Sequence, residues 1–319
     1  MMNFRTDLAL EMRENQEGEI PGVEVTIEED ETQGITVTWV SIETAEGATT
    51  MQKPIGNYVT LEAPVMKEND PQIHEEIAKI LAKKLGRLHK LEENSVILIV
   101  GLGNRNVTPD ALGPQVCEKI LVTRHLGDEV PHELKGKLRA VSALAPGVMG
   151  ITGIETAEII KGVSEKIKPD LIIAIDALAA RKTSRINATI QISDAGVNPG
   201  AGLGNRRTPI NRESMGVPVI ALGVPTVVDA ATLVNDTMEA MLTAMKDHAP
   251  QEEAFLNMLG GLQEEERYHL ITEILSNGNM FVTPKDVDAV ITRLSNIIAN
   301  TLNISLHPGI TVEDVNRYL

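Results

Sequence analysis

Continuous apolar runs mark the centre of the chain. Residues 96–100 (VILIV) and 171–175 (LIIAI) hold no polar position, as expected of strands buried on both faces of a parallel sheet. Residues 217–222 add another such strand, and residues 138–144 and 188–193 read as further β runs. Helical periodicity fills the intervals. Ile73, Ile77, Ile80, Leu81, Leu85 and Leu88 recur at helix spacing behind Asp70 and Pro71, so residues 70–90 form an amphipathic helix ahead of the first central strand. Residues 111–123, 156–165 and 227–245 read as helices, the last with Asp229 in its first turn, and residues 252–277 and 284–302 as a helical C-terminal part. Strand and helix in alternation predict an α/β fold with a mostly parallel central sheet flanked by helices.

The amino end is patterned differently. Residues 23–27, 35–42 and 48–61 carry short β-rich runs broken by Gly, Asp and Pro, which predicts a small antiparallel layer ahead of the α/β pattern. Residues 1–15 are polar without strong periodicity and read as an exposed arm. At the other end, Thr311 to Asp314 has the cap-and-acid pattern that starts a short terminal helix. The organisation is therefore a β-rich region over residues 8–66, an α/β core over 67–250 and a helical extension over 251–319.

Composition narrows the function. The 319 residues carry 29 basic and 45 acidic side chains, a net charge of −16, with no Lys or Arg run to neutralise successive phosphates. Direct nucleic-acid binding is not expected of such a chain. No stretch approaches the ~20 apolar residues of a membrane span and no apolar signal core opens the chain, so a cytoplasmic location is expected. The single cysteine, Cys117, is read as a small core residue.

The candidate chemistry lies where the apolar runs end. Residues 101–110 (GLGNRNVTPD) follow the first run: Gly101 and Gly103 allow a sharp turn, and Thr108-Pro109-Asp110 starts a helix. Asp110 is either a helix-capping carboxylate or a functional group in the crevice at the strand ends. Asp176 follows the second run in the same way. Two carboxylates sharing one crevice push their pKa values apart, so one can serve as acid and the other as base. The GLGNR of residues 101–105 recurs at 202–206, within the Gly, Asn and Pro loop 194–207. Gly103, Asn104, Asn198, Gly204 and Asn205 are candidates to line one cleft with backbone N–H groups. Other chemistries lack their motifs. Asn106 replaces the third glycine of a dinucleotide fingerprint, and there is no G-x-x-x-x-G-K-S/T, H-E-x-x-H, CxxC or G-x-S-x-G.

Four segments carry a resemblance: GLGNRNVTPDALGP at 101–114, LIIAIDALAAR at 171–181, DAGVNPGAGLGNRR at 194–207 and GVPVIALGVPTVVDA at 216–230. Together they resemble the spore germination proteases of endospore-forming bacteria, along nearly the whole chain. The resemblance implies an endopeptidase that starts the degradation of small acid-soluble spore proteins in the spore core, works as a homotetramer and is made as a self-processing zymogen. It implies cleavage after an acidic residue, ahead of a large apolar residue and then alanine. The family's two functional aspartates fall on Asp110 and Asp176. The family is also similar in fold to hydrogenase-maturation proteases, which bind a metal; their histidine would fall near Asn198, so no metal or other cofactor is expected and an aspartic-type carboxylate pair is favoured. Thr6-Asp7-Leu8-Ala9 has the substrate order, which makes residues 1–7 a propeptide arm with its processing bond between Asp7 and Leu8. The alternative is a non-proteolytic metal- or peptide-binding α/β module.

Overall fold

A computed structural model describes residues 6–16, 18–30, 34–129, 135–200, 207–248 and 280–314, with isolated positions between 266 and 275. In chain order the described strands are β1 (Val23–Asp30), β2 (Ile35–Ile42), β3 (Gly56–Glu62), β4 (Val96–Gly101), β5 (Ala140–Leu144), β6 (Leu171–Ala180), β7 (Thr189–Ser193), β8 (Val219–Asp229) and β9 (Phe281–Val282). The helices described with them are α1 (Ala9–Glu14), α2 (Ala45–Met51), α3 (Pro71–Leu88), α4 (Leu112–Cys117), α5 (Met149–Thr152), α6 (Thr156–Ile167), α7 (Arg212–Met215), α8 (Ala230–His248) and α9 (Val287–Leu306). No helix of the described residues is long and apolar enough to cross a membrane.

The fold is α/β, and its strands form one sheet in the order β1-β2-β3-β7-β8-β6-β4-β5, with β9 pairing β8. Only the β8-β6-β4-β5 portion is parallel. β1-β2, β2-β3, β3-β7, β7-β8 and β8-β9 are antiparallel, so the sheet is mixed and not mostly parallel. The expected separate β layer is an extension of the same sheet, because β7 turns back between β8 and β3 and offers each an antiparallel partner. Burial explains the apolar runs. Ile97, Ile99, Ile173, Ile175, Ile220 and Leu222 enter one core beneath α3, α4 and α9, while Leu98, Val100, Ile172 and Ala174 enter the opposite one against α6. Asp70 caps α3 through the N–H groups of Gln72 and Ile73, with Pro71 at the first helical position.

Several element boundaries differ from the periodicity, each for a local reason. Where residues 48–61 were expected to carry a short β-rich run, Thr44 accepts the Gly47 N–H and starts α2, leaving β3 to begin at Gly56. α4 ends at Cys117 and not near 123, because the Asn303 side chain takes the Leu121 N–H and the Lys119 carbonyl in place of helix partners. β8 runs to Asp229, so that residue closes a strand and precedes α8; Val227 and Val228 pair with Ala179 and Ala180 of β6. The helix expected over 252–277 falls almost entirely outside the described residues, whereas α9 and the Thr311–Asp314 cap are present.

The exposed arm is the largest departure. Leu8 and Ala9 are completely buried, and Leu10, Glu11 and Met12 nearly so. Ala9 and Met12 join Val40, Ile42, Met51 and Tyr58 in a cluster on the β2-β3 side of the sheet. Residues 1–5 of the arm lie outside the described residues.

Candidate active site

β4 leaves the sheet at Gly101, which is level with Ile175 of β6. β6 nevertheless continues to Ala180, so Asp176 sits inside a strand, one residue beyond its last β4 partner, and not at the strand-to-loop junction that its sequence context predicted. From Asp176 onward one edge of β6 is uncovered by β4. The loop that departs there brings Asp110 alongside.

Close backbone packing fixes Asp110. Its turn, Thr108–Asp110, is held by a hydrogen bond from the Thr226 hydroxyl to the Pro109 carbonyl (2.8 Å), and its carboxylate accepts the Asn104 N–H at 2.7 Å. Gly103 has φ +109°, and a Cβ there would lie 2.1 Å from the Asp110 carbonyl oxygen, so only glycine lets the loop pass. Gly103 and Asn104 thus support Asp110 and do not line the cavity described below.

Electrostatics ties the two aspartates together. Burial pushes the Asp176 carboxyl well above the usual carboxylate range, and the charges of Asp110 and Asp7 push it further the same way. Asp110 is also raised by burial, opposed by the Asn104 N–H and by the charge of Arg207. This is the signature of carboxylates that share a dry site and do not ionise together without cost. Among the described residues, no three His, Cys, Asp or Glu side chains converge into a metal-ligating group, and two carboxyls alone are a poor donor set for a resident metal. Cys117 offers no alternative nucleophile: burial pushes its thiol up to about 11.

A cavity of about 390 Å3 opens over the sheet; Asp176, Gln191, Lys53 and Asn198 are among its lining residues, and Asp110 is not. Across the sheet, Asp176 of β6 and Gln191 of β7 are both level with Gly223 of β8, so their side chains rise from the same face. The chain's own Thr6 and Asp7 form part of its wall. Asp7 docks on the uncovered edge of β6: its N–H donates to the Ala179 carbonyl (3.0 Å), and its carboxylate accepts the Ala179 N–H (2.9 Å). Leu8 packs on Leu178 and Ala180. The Asp7 carbonyl oxygen accepts from Lys53 Nζ at 2.9 Å and Gln191 Nε2 at 3.2 Å, while Gln191 Oε1 accepts the Ala9 N–H at 2.7 Å. Glu11 secures the segment by accepting the N–H groups of Arg181 (2.7 Å) and Lys182 (2.9 Å) and the Thr6 hydroxyl.

Of the residues expected from sequence, Asp7, Asp176 and Asn198 line this cavity, Leu8 packs on Leu178 of its wall, and Asp110 reaches it through its charge on Asp176. Gly204 and Asn205, with the second GLGNR, fall outside the described residues. Lys53, Gln191 and Glu11 were missed. Gln191 carried a usable signal, an amide flanked by isoleucines in the fully buried strand TIQIS, where a polar side chain needs a partner.

Comparison with known proteins identifies the family. The sequence profile of the germination protease family matches residues 5–253 and 242–319. The chain is similar to the germination proteases of Clostridium tetani, 51% identical with 100% of both chains covered, and of Caldanaerobacter subterraneus subsp. tengcongensis, 48% identical with 100% and 99% covered. It is 44% identical to that of Bacillus subtilis, with 99% of this chain and 96% of the other covered. On matches that run the full length of the chain, this protein belongs to the germination protease family.

Proposed function

We propose that this protease is an aspartic-type endopeptidase made as a zymogen, that it cuts its own Asp7–Leu8 bond, and that it then initiates breakdown of small acid-soluble spore proteins in the spore core. The observation that carries the reading is the position of residues 6–9. They run along the cavity that Asp176 lines, with Thr6 and Asp7 in its wall and the Asp7 charge acting on Asp176, and carry an acidic side chain, a large apolar one and an alanine in succession, as a substrate would. Leu8 fills an apolar pocket floored by Leu178 and Ala180, and the small Ala9 is wholly enclosed beyond it. The homotetramer belongs to the same reading and rests on the family likeness alone.

Two protonation states are needed for hydrolysis, and the site separates them. Asp176 is the more deeply buried carboxyl, faces two other acidic groups, and holds the proton. Asp110, with a backbone N–H on its carboxylate, is the ionised partner. Asp110 takes a proton from the water whose oxygen bonds to the Asp7 carbonyl carbon. The proton of Asp176 ends on the Leu8 nitrogen as the C–N bond breaks.

Mass spectrometry of the full chain held at mildly acidic pH tests this. A new N-terminus at Leu8 should form, and Asp110→Asn and Asp176→Asn should each slow it by orders of magnitude while leaving the circular dichroism spectrum unchanged. A cut elsewhere, or one that survives both substitutions, would overturn the proposal. A module that only binds peptide would retain its ligand in both variants and never cut.

A further inference from the structure

We infer that Lys53 and Gln191 are catalytic residues: together they polarise the carbonyl of the bond to be cut, and Gln191 also sets the substrate's register by holding the N–H two residues further on. The inference rests on the proposed cleavage at Asp7–Leu8 and adds two groups to it. Its basis is geometric. Two donors, a lysine amine nitrogen and a glutamine amide, converge on the oxygen that would become negative during attack, at 2.9 and 3.2 Å. The same Gln191 amide turns its oxygen to the Ala9 N–H at 2.7 Å, so one side chain brackets the peptide bond from both sides.

Neither group is free to wander. Gln191 stands in β7 between Thr60 of β3 and Gly223 of β8, and is 8% exposed. Lys53 follows the left-handed Gln52 at the end of α2; its own N–H donates to the Ala48 carbonyl, and the next residue, Pro54, is tied by its carbonyl to the Tyr58 hydroxyl at 2.8 Å. Donors fixed in advance need no reorganisation when charge develops, which is why such groups contribute strongly in a water-poor site. Both contacts are made to main-chain atoms, so they suit any peptide placed as residues 7–9 are, whatever its side chains.

Substitution in the full chain separates catalysis from anchoring. Lys53→Met should slow appearance of the Leu8 N-terminus roughly 100- to 1,000-fold, the loss typical of removing one oxyanion donor. Hydrogen exchange at Ala179, whose N–H is covered by the Asp7 carboxylate, reports whether the arm is still docked and should stay within about threefold of wild type. Gln191→Leu should slow the cut comparably and deprotect the Ala9 N–H selectively. A Lys53→Met chain that cuts at the wild-type rate overturns the inference, as does one that slows only because Ala179 has lost its protection, since Lys53 would then be an anchor. If the wild-type chain never acquires Leu8 as its N-terminus, the underlying cleavage reading is what fails, and the inference falls with it.

Discussion

Glu11 is the residue on which docking of the amino-terminal segment should depend most. Its side chain is 1% exposed, and its carboxylate accepts the backbone N–H groups of Arg181 and Lys182 as well as the Thr6 hydroxyl, binding α1 to the end of β6. Glu11→Ala leaves those two N–H groups without their acceptor where water has little access. A buried donor that loses its partner costs about 1–3 kcal/mol, so two cost roughly 2–6 kcal/mol. Arg185, 3.4 Å from Glu11, adds little, because it keeps Glu14 at 2.6 Å and Glu62 at 2.7 Å. Taking about 3 kcal/mol and about 1.4 kcal/mol per tenfold, local opening should become roughly 100-fold more frequent. Hydrogen exchange reads this directly: the Arg181, Lys182 and α1 amides should lose about that much protection, while the β4 and β6 amides before Asp176 keep theirs. Glu11→Gln, which retains one acceptor oxygen, should fall between. Protection in Glu11→Ala within about threefold of wild type would refute the reasoning, because the carboxylate would then not be what holds the segment.

Two further outcomes follow from the carboxylate pair and its supporting loop. The folded-state pKa of Asp176 is raised by burial and by the Asp110 and Asp7 charges, so its contribution to stability is greatest at acid pH and is lost as pH climbs from about 4, the unfolded value, through the folded one. Denaturant titrations across that range should therefore give Asp176→Asn a shallower fall than wild type and a higher thermal midpoint at pH 7; parallel curves would contradict the burial of a charge there. Gly103→Ala forces a φ of +109° on a residue with a Cβ and sets that atom 2.1 Å from the Asp110 carbonyl oxygen, which should destabilise by about 1–3 kcal/mol and slow self-cleavage at least tenfold; a wild-type rate would show that the Asp110 turn tolerates movement.

What the sequence revealed and what it hid divide along a physical line. Val96 to Val100 and Leu171 to Ile175 were legible because burial on both faces removes every polar position, and α3 because its cap and stripe are local. Asp110 and Asp176 were legible because acidic side chains at the end of such runs are conspicuous. Asp176 still misled, since an acid in an apolar run reads as the end of a strand, whereas β6 continues through Ala180. The docked segment was not legible. One partner lies 182 residues away at Gln191, and Glu11 is satisfied by backbone N–H groups that leave no trace in residue identity.

That division extends to the site itself, and register explains how a peptide fits it. Asp176, Gly223 and Gln191 stand level on three adjacent strands, so the carboxyl and the amide are separated by two strand spacings, about 10 Å. Asp7 reaches both sides, its N–H on the Ala179 carbonyl of β6 and its carbonyl oxygen on Gln191 Nε2, and Ala9 returns to Gln191 Oε1. Gly223, in the middle, must lack a side chain, because a Cβ there would press within 2.6 Å of Leu178, the floor on which Leu8 rests. The Asp7 backbone is thereby held between the β6 edge and Gln191 by its own N–H and carbonyl, with Lys53 on the same oxygen, and any extended peptide placed as residues 7–9 are can make the same main-chain contacts.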